Sequence, residues 1–135
     1  VRAGVDVAGA RVVVNPDPER GMRSSLALAV DAAEGAADAL AVLLVDTPGV
    51  GAQAVREVLA AWTPGRIALA RYGARRGHPT VMSPALWREA LEGADGDEGA
   101  RALLARRPDL VDEISVDGDP TDLDTAQDLA RWRRD

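Results

Sequence analysis

Apolar and polar positions along the 135 residues fall into short blocks of two kinds, straight apolar runs and helically spaced ones. Val12–Val14 is an apolar run closed by Asn15-Pro16-Asp17-Pro18, which predicts a short buried strand and then a loop. Leu26, Ala29, Val30 and Ala33 share one helical face, with Ser24 or Ser25 placed to cap that helix and Gly35 to stop it. Residues 40–45 are apolar on both faces, the pattern of a central strand in a parallel sheet. Val55, Val58, Leu59 and Trp62 predict a helix over 52–62, ended by Thr63-Pro64-Gly65. A strand is expected at 66–72, then a turn with a short extended segment. Ser83-Pro84 opens a helix that should bury Leu86, Trp87, Ala90 and Leu91. Asp97 is placed to cap a helix over 98–106, and Val111, Ile114 and Val116 mark another strand. Thr125, with Asp128 three residues on, reads as a capping box before a last helix.

Strands that alternate with helices place the chain in the α/β class with a mostly parallel sheet. The length suits one domain with a real core, and no repeat or long linker divides it.

Composition narrows the function. With no Cys, neither a disulfide framework nor a thiolate metal site is possible. No apolar run approaches the roughly 20 residues that cross a membrane. A net charge of −6 and 3% aromatic content argue against partners that are nucleic acids or anionic membranes. The first residues lack the basic start and apolar core of a secretion signal, so a cytoplasmic protein is expected. All 16 cationic residues are Arg.

The candidate chemistry lies with the acids. Ligands of an open parallel sheet bind beyond the carboxyl ends of its strands, and Asp46 ends the most apolar run. It is either a turn or capping carboxylate, the commoner role for a lone Asp, or a ligand for a cation such as Mg²⁺. Asp122 and Asp124 precede the last helix; they are either solvated acids favoured by its dipole or partners of Asp46 across a crevice. Trp62, Trp87 and Trp132 read as packing residues, and Arg131, Arg133 and Arg134 suit a helix C-terminus. Arg75-Arg76 is either a solvated turn or a phosphate contact.

Five blocks, "NPDPERGMRSSL", "LLVDTP", "RYGARRGHPTVM", "GDEGARALL" and "DLDTAQDL", occur in the order found in the molybdenum-cofactor nucleotidyltransferases. The chain resembles that family from about Arg11 to Asp128, and "GHP" with "GDEGAR" leans toward its cytidylyltransferases. The resemblance implies a Rossmann-like three-layer fold and Mg²⁺-dependent transfer of CMP from CTP to molybdopterin, with release of pyrophosphate. It implies Asp46 and Asp124 as catalytic metal ligands. Asn15, Gly21, Met22 and Ser25 would hold the nucleotide, with Ser24 beside them. Tyr72, Gly77, His78, Gly96 and Asp97 would meet the acceptor. An acceptor phosphate is ionised at neutral pH, so no strong general base is required, and His78 as a neutral imidazole would donate a hydrogen bond to it or serve the turn before Pro79.

The family opens with a strand and a Gly-rich loop bearing Arg and Lys, and nothing in these residues matches it. The expectation is therefore a single nucleotidyltransferase-like domain, the carboxyl-terminal portion of a longer one, with the strand-loop-helix unit absent and the 135 residues inactive alone. The alternatives are a guanylyltransferase using GTP and a non-catalytic accessory protein that carries the cofactor to a molybdoenzyme apoprotein.

Overall fold

The computed structural model describes residues 9–92 and 100–133. One sheet is formed by β1 (Leu40–Val42), β2 (Ile67–Tyr72), β3 (Arg75–Met82) and β4 (Val111–Ser115), in the order β1-β3-β2-β4. The helices are α1 (Met22–Ala33), α2 (Ala52–Ala61), α3 (Pro84–Glu92), α4 (Arg101–Arg106) and α5 (Ala126–Trp132). The α/β class is as expected, but the sheet is mixed. Only β2 and β4 pair in parallel; β3 lies antiparallel to both β1 and β2. Three strands thus run one way, with β3 inserted against them.

Alternation of side chains across the strands builds two cores. On one face Ile67 and Met82 join Val30, Trp87, Ala90, Leu91 and Leu103, so α1, α3 and α4 cover that side. On the other face Ala68, Ala70, Tyr72 and Val81 join Val116 and the α2 residues Ala54 and Val58. Three layers result. Trp87 locks the first face to the sheet edge, its indole N–H donating to the Leu40 carbonyl at 3.0 Å. Trp62 likewise donates to the Arg66 carbonyl at 3.0 Å, whereas Trp132 is exposed and does not serve the expected packing role.

Several boundaries differ from the expectation. The six-residue central strand over 40–45 is a three-residue edge strand among the described residues. Beyond it the Thr47 hydroxyl donates to the Leu44 carbonyl at 3.0 Å and folds the segment into a turn. Pro79, just past the last β1–β3 pair, has no N–H to extend the ladder. Val12–Val14 are exposed and in no described strand. α1 starts at Met22 with Gly21 as N-cap, so neither Ser24 nor Ser25 caps it. The short extended segment after Gly73 is the eight-residue β3, central in the sheet. Ser83 does serve the start of α3, accepting from Leu86 N–H at 3.3 Å, and the Thr125–Asp128 capping box is formed. The proposed Asp97 cap lies outside the described residues.

Candidate active site

Asp46 sits in the turn just past the carboxyl end of β1. Its Oδ1 is buried and has no hydrogen-bond partner among the described residues. A buried carboxylate oxygen left unpaired is costly, so it calls for a cation or a donor from beyond the described residues. Around it the loop is fixed by Thr47, which is buried, and by Val50 N–H donating to the Thr47 carbonyl at 3.1 Å.

The segment carrying the other acids is tied by three backbone bonds, one to β2 and two to this turn. Val116 N–H donates to Arg71 at 3.1 Å, Asp119 N–H to Gly49 at 3.1 Å, and Leu123 N–H to Asp46 at 2.9 Å. The last bond puts the backbone of 123 directly on that of Asp46, with exposed Asp122 and Asp124 on either side of Leu123. Such an approach requires glycine. A Cβ on Gly49 would lie 2.5 Å from the Asp119 carbonyl oxygen, and one on Gly118 would lie 2.8 Å from the Gly49 oxygen. Gly118 also has a φ of +136°, which L side chains rarely adopt.

The β3 strand bulges toward this junction. Leu69 pairs with Thr80 but Ala70 pairs with Gly77, leaving His78 and Pro79 unmatched. A bulge re-aims a side chain, and here the His78 Nδ1 reaches the Val42 carbonyl at 3.1 Å, at the end of β1. A carbonyl only accepts, so the Nδ1–H of His78 donates in this bond. Tyr72 is 6% exposed, and its hydroxyl donates to the His78 carbonyl at 2.6 Å. Burial pushes its pKa up from the ordinary 10.0. Gly77 packs against Tyr72 and Pro120.

At the rim, Arg75 donates to the Thr121 hydroxyl at 3.2 Å, which donates to Asp119 at 2.6 Å. The Asp119 carboxyl is held below its ordinary 3.8 by the Thr121 hydroxyl first, then by the Thr121 N–H and the Arg75 charge. Arg76 instead pairs with Glu113 at 2.5 Å.

The expected nucleotide residues lie apart from the carboxylates. Asn15 Nδ2 donates to Ser24 at 2.7 Å and Ser25 at 2.9 Å, while its Oδ1 accepts from Asp17 N–H at 2.9 Å. Both carboxamide donors are therefore committed to the first turn of α1, and the carboxamide oxygen accepts from the loop. Gly21 has a φ of 83°, and its N–H donates to the Pro18 carbonyl. Met22 is exposed. A cleft of about 410 Å³ opens between this loop, α1 and α3, with Asn15 and Ser24 in its wall; Asp46 and Asp124 do not line it. Gly96 and Asp97 lie outside the described residues.

Residues 1–111 match the model of the MobA-like NTP transferase domain. The chain belongs to this family. It is 39% identical over 130 residues to nicotine blue oxidoreductase of Paenarthrobacter nicotinovorans, covering 90% of this chain and 63% of that protein. The fold is similar to that of Rv0371c from Mycobacterium tuberculosis H37Rv, with a TM-score of 0.82 and 32% identity over all of this chain and 70% of that one. A second Rv0371c structure, a complex with manganese, gives 0.77 and 30% over 96% and 68%. A homolog from Mycobacterium sp. strain JC1 gives 0.70 and 32% over 80% and 55%. The chain thus spans less than two thirds of some of these relatives.

Sequence reasoning missed Gly49, Gly118 and Pro120. Their signal was present: each lies within three residues of an Asp in one of the two acidic loops.

Proposed function

We propose that the protein is a divalent-cation-dependent nucleotidyltransferase that transfers CMP from CTP to a molybdopterin-type phosphate acceptor. The observation that carries the reading is the buried, unpartnered Asp46 Oδ1 beside a backbone-pinned acidic segment. In this reading the chain supplies two carboxylates, Asp46 and Asp124. That donor set fits Mg²⁺ or Mn²⁺, which keep waters and substrate phosphates as the remaining ligands. The manganese complex of Rv0371c supports such a cation here.

In this reading Asp46 and Asp124 hold the cation, which offsets charge on the triphosphate when bound. An ionised acceptor oxygen bonds to the α-phosphorus as the bond to the bridging oxygen breaks, and pyrophosphate leaves with that electron pair. No proton needs removal, so the chain's work is placement and charge balance. The reading is supported by the Leu123–Asp46 backbone bond, which holds the segment bearing Asp122 and Asp124 against the Asp46 turn.

The test is single-turnover transfer by the full-length protein with CTP or GTP, in Mg²⁺ or Mn²⁺. CTP should be preferred, and Asp46→Asn should cost about a hundredfold or more, the several kcal/mol that a Lewis acid contributes. Unchanged turnover at saturating metal would remove Asp46 from the mechanism; preference for GTP would move the protein to the guanylyl side. The name of the Paenarthrobacter relative favours a second reading, reduction or oxidation of a nicotine-blue-type substrate. Turnover of nicotine blue with an added electron donor or acceptor, and with no cleavage of CTP or GTP, would establish that reading instead.

A further inference from the structure

We propose that Tyr72 is a positioning residue that sets the spacing of the Asp46 turn and the acidic segment bearing Asp124. In its bearing on the cation, this inference rests on the carboxylate site proposed above. Tyr72 is the sole tyrosine of the chain and the one aromatic among the buried residues of the core on its face of the sheet, where Trp62 is only partly buried. Its ring is gripped at both edges by glycines. A Cβ on Gly77 would lie 3.0 Å from Cε2, and one on Gly118 would lie 3.1 Å from Cε1. The ring therefore fills the space between the start of β3 and the loop that follows β4.

The coupling then runs through atoms in contact. Gly118 abuts the Gly49 carbonyl, whose oxygen also accepts the Asp119 N–H. Four residues on, Leu123 N–H bonds to the Asp46 carbonyl. Pro120 closes the arrangement from the other side, 2.8 Å from a Cβ placed on Gly77. The ring is thus the solid part of a junction whose other walls are backbone. The hydroxyl has a separate task, holding the His78 carbonyl at the bulge. Removing the ring should release Gly118 and let the acidic segment drift from Asp46. Removing only the hydroxyl should not.

The experiment is residue-resolved amide exchange together with Mn²⁺ titration on the full-length protein. Tyr72→Phe should keep slow exchange at Asp119 and Leu123 and keep Mn²⁺ affinity. Tyr72→Leu should speed exchange at those two amides at least about tenfold and weaken Mn²⁺ about tenfold, the usual scale for loss of an outer support. Gly77→Ala, which drives a methyl between Pro120 and the ring, should move both readouts the same way and serves if Tyr72→Leu does not fold. Val30→Ala, on the opposite face, sets the level produced by lowered stability alone. Exchange at Asp119 and Leu123 in Tyr72→Leu or Gly77→Ala no faster than in Val30→Ala overturns the inference, whatever the metal does. Mn²⁺ binding that Asp46→Asn leaves intact overturns the underlying site reading and not the loop geometry.

Discussion

The two faces of the sheet are built from different side chains. The face under α1, α3 and α4 is filled by Trp87, Met82, Ile67, Leu91 and Leu103. The buried residues of the face under α2 are Ala54, Ala68, Ala70, Val58, Val81 and Val116, with Tyr72 as their one aromatic; Trp62 and Ile114 pack against them half-buried. Large side chains bury more apolar area and dominate stability. Small ones let a helix sit close to the sheet and leave the geometry at the strand ends to backbone contacts. The first face supplies the energy of the fold; the second carries the turn with Asp46 and the segment with Asp124. The difference teaches that stability and site geometry are separable in this domain.

The largest effect should come from the first face. Trp87 is 1% exposed and also satisfies the Leu40 carbonyl. Trp87→Ala should cost about 3–5 kcal/mol in chemical denaturation, the range for truncating a buried aromatic. The molecules that remain folded should bind Mn²⁺ as the unaltered protein does. A folded variant with lost affinity would show that the faces are not separable.

Gly49→Ala is the converse experiment. Its Cβ would collide with the Asp119 carbonyl at 2.5 Å, backbone against backbone, so the acidic segment must move. Stability should fall by only about 1–3 kcal/mol, as for overpacking elsewhere. Transfer activity should fall about a hundredfold, the scale of an ångström's misplacement at a reacting centre. Activity that falls only in proportion to the unfolded fraction would remove the distinction between the faces.

Much of this was legible in the sequence because periodicity reports burial. The helices at 52–61, 84–92 and 126–132, and the strand at 67–72, follow from apolar spacing and caps. What periodicity does not report is pairing. The run at 40–45 reads as a central strand, yet neighbours decide whether apolar residues meet a sheet; Val45 is fully exposed and β1 is an edge. The bulge at His78–Pro79 was hidden because a bulge is a relation between two strands, and "GARRGHPTVM" has too few apolar residues to announce β3. Asp46 was legible as an acid ending an apolar run. The orphaned state of its Oδ1 was not, since that depends on what Thr47, Val50 and Leu123 do around it. The burial of Tyr72 was not legible, because it comes from Gly77 and Gly118, which are far apart in the chain.

The smallest effect should appear at high pH and would test the one buried aromatic of the face under α2 directly. The chain has no Lys or Cys and one Tyr, so Tyr72 is the one side chain that titrates between neutrality and the range of Arg. Burial raises its pKa above the ordinary 10.0 in the folded protein. A raised folded value means that the stabilisation is fully present below pH 10 and is lost as pH rises through the folded value, because the unfolded chain ionises first. At neutral pH, Tyr72→Phe should be less stable by about 1 kcal/mol, for the lost hydrogen bond to the His78 carbonyl. Above pH 10 the unaltered protein should lose stability while the Phe variant does not, so the two denaturation midpoints should converge. Tyrosinate absorbance, free of any other tyrosine, would show the same group ionising later in the folded state than in denaturant. Midpoints that stay parallel, with tyrosinate appearing at its ordinary pH in the native protein, would mean that the ring is open to water and that the face under α2 is not sealed at its functional end.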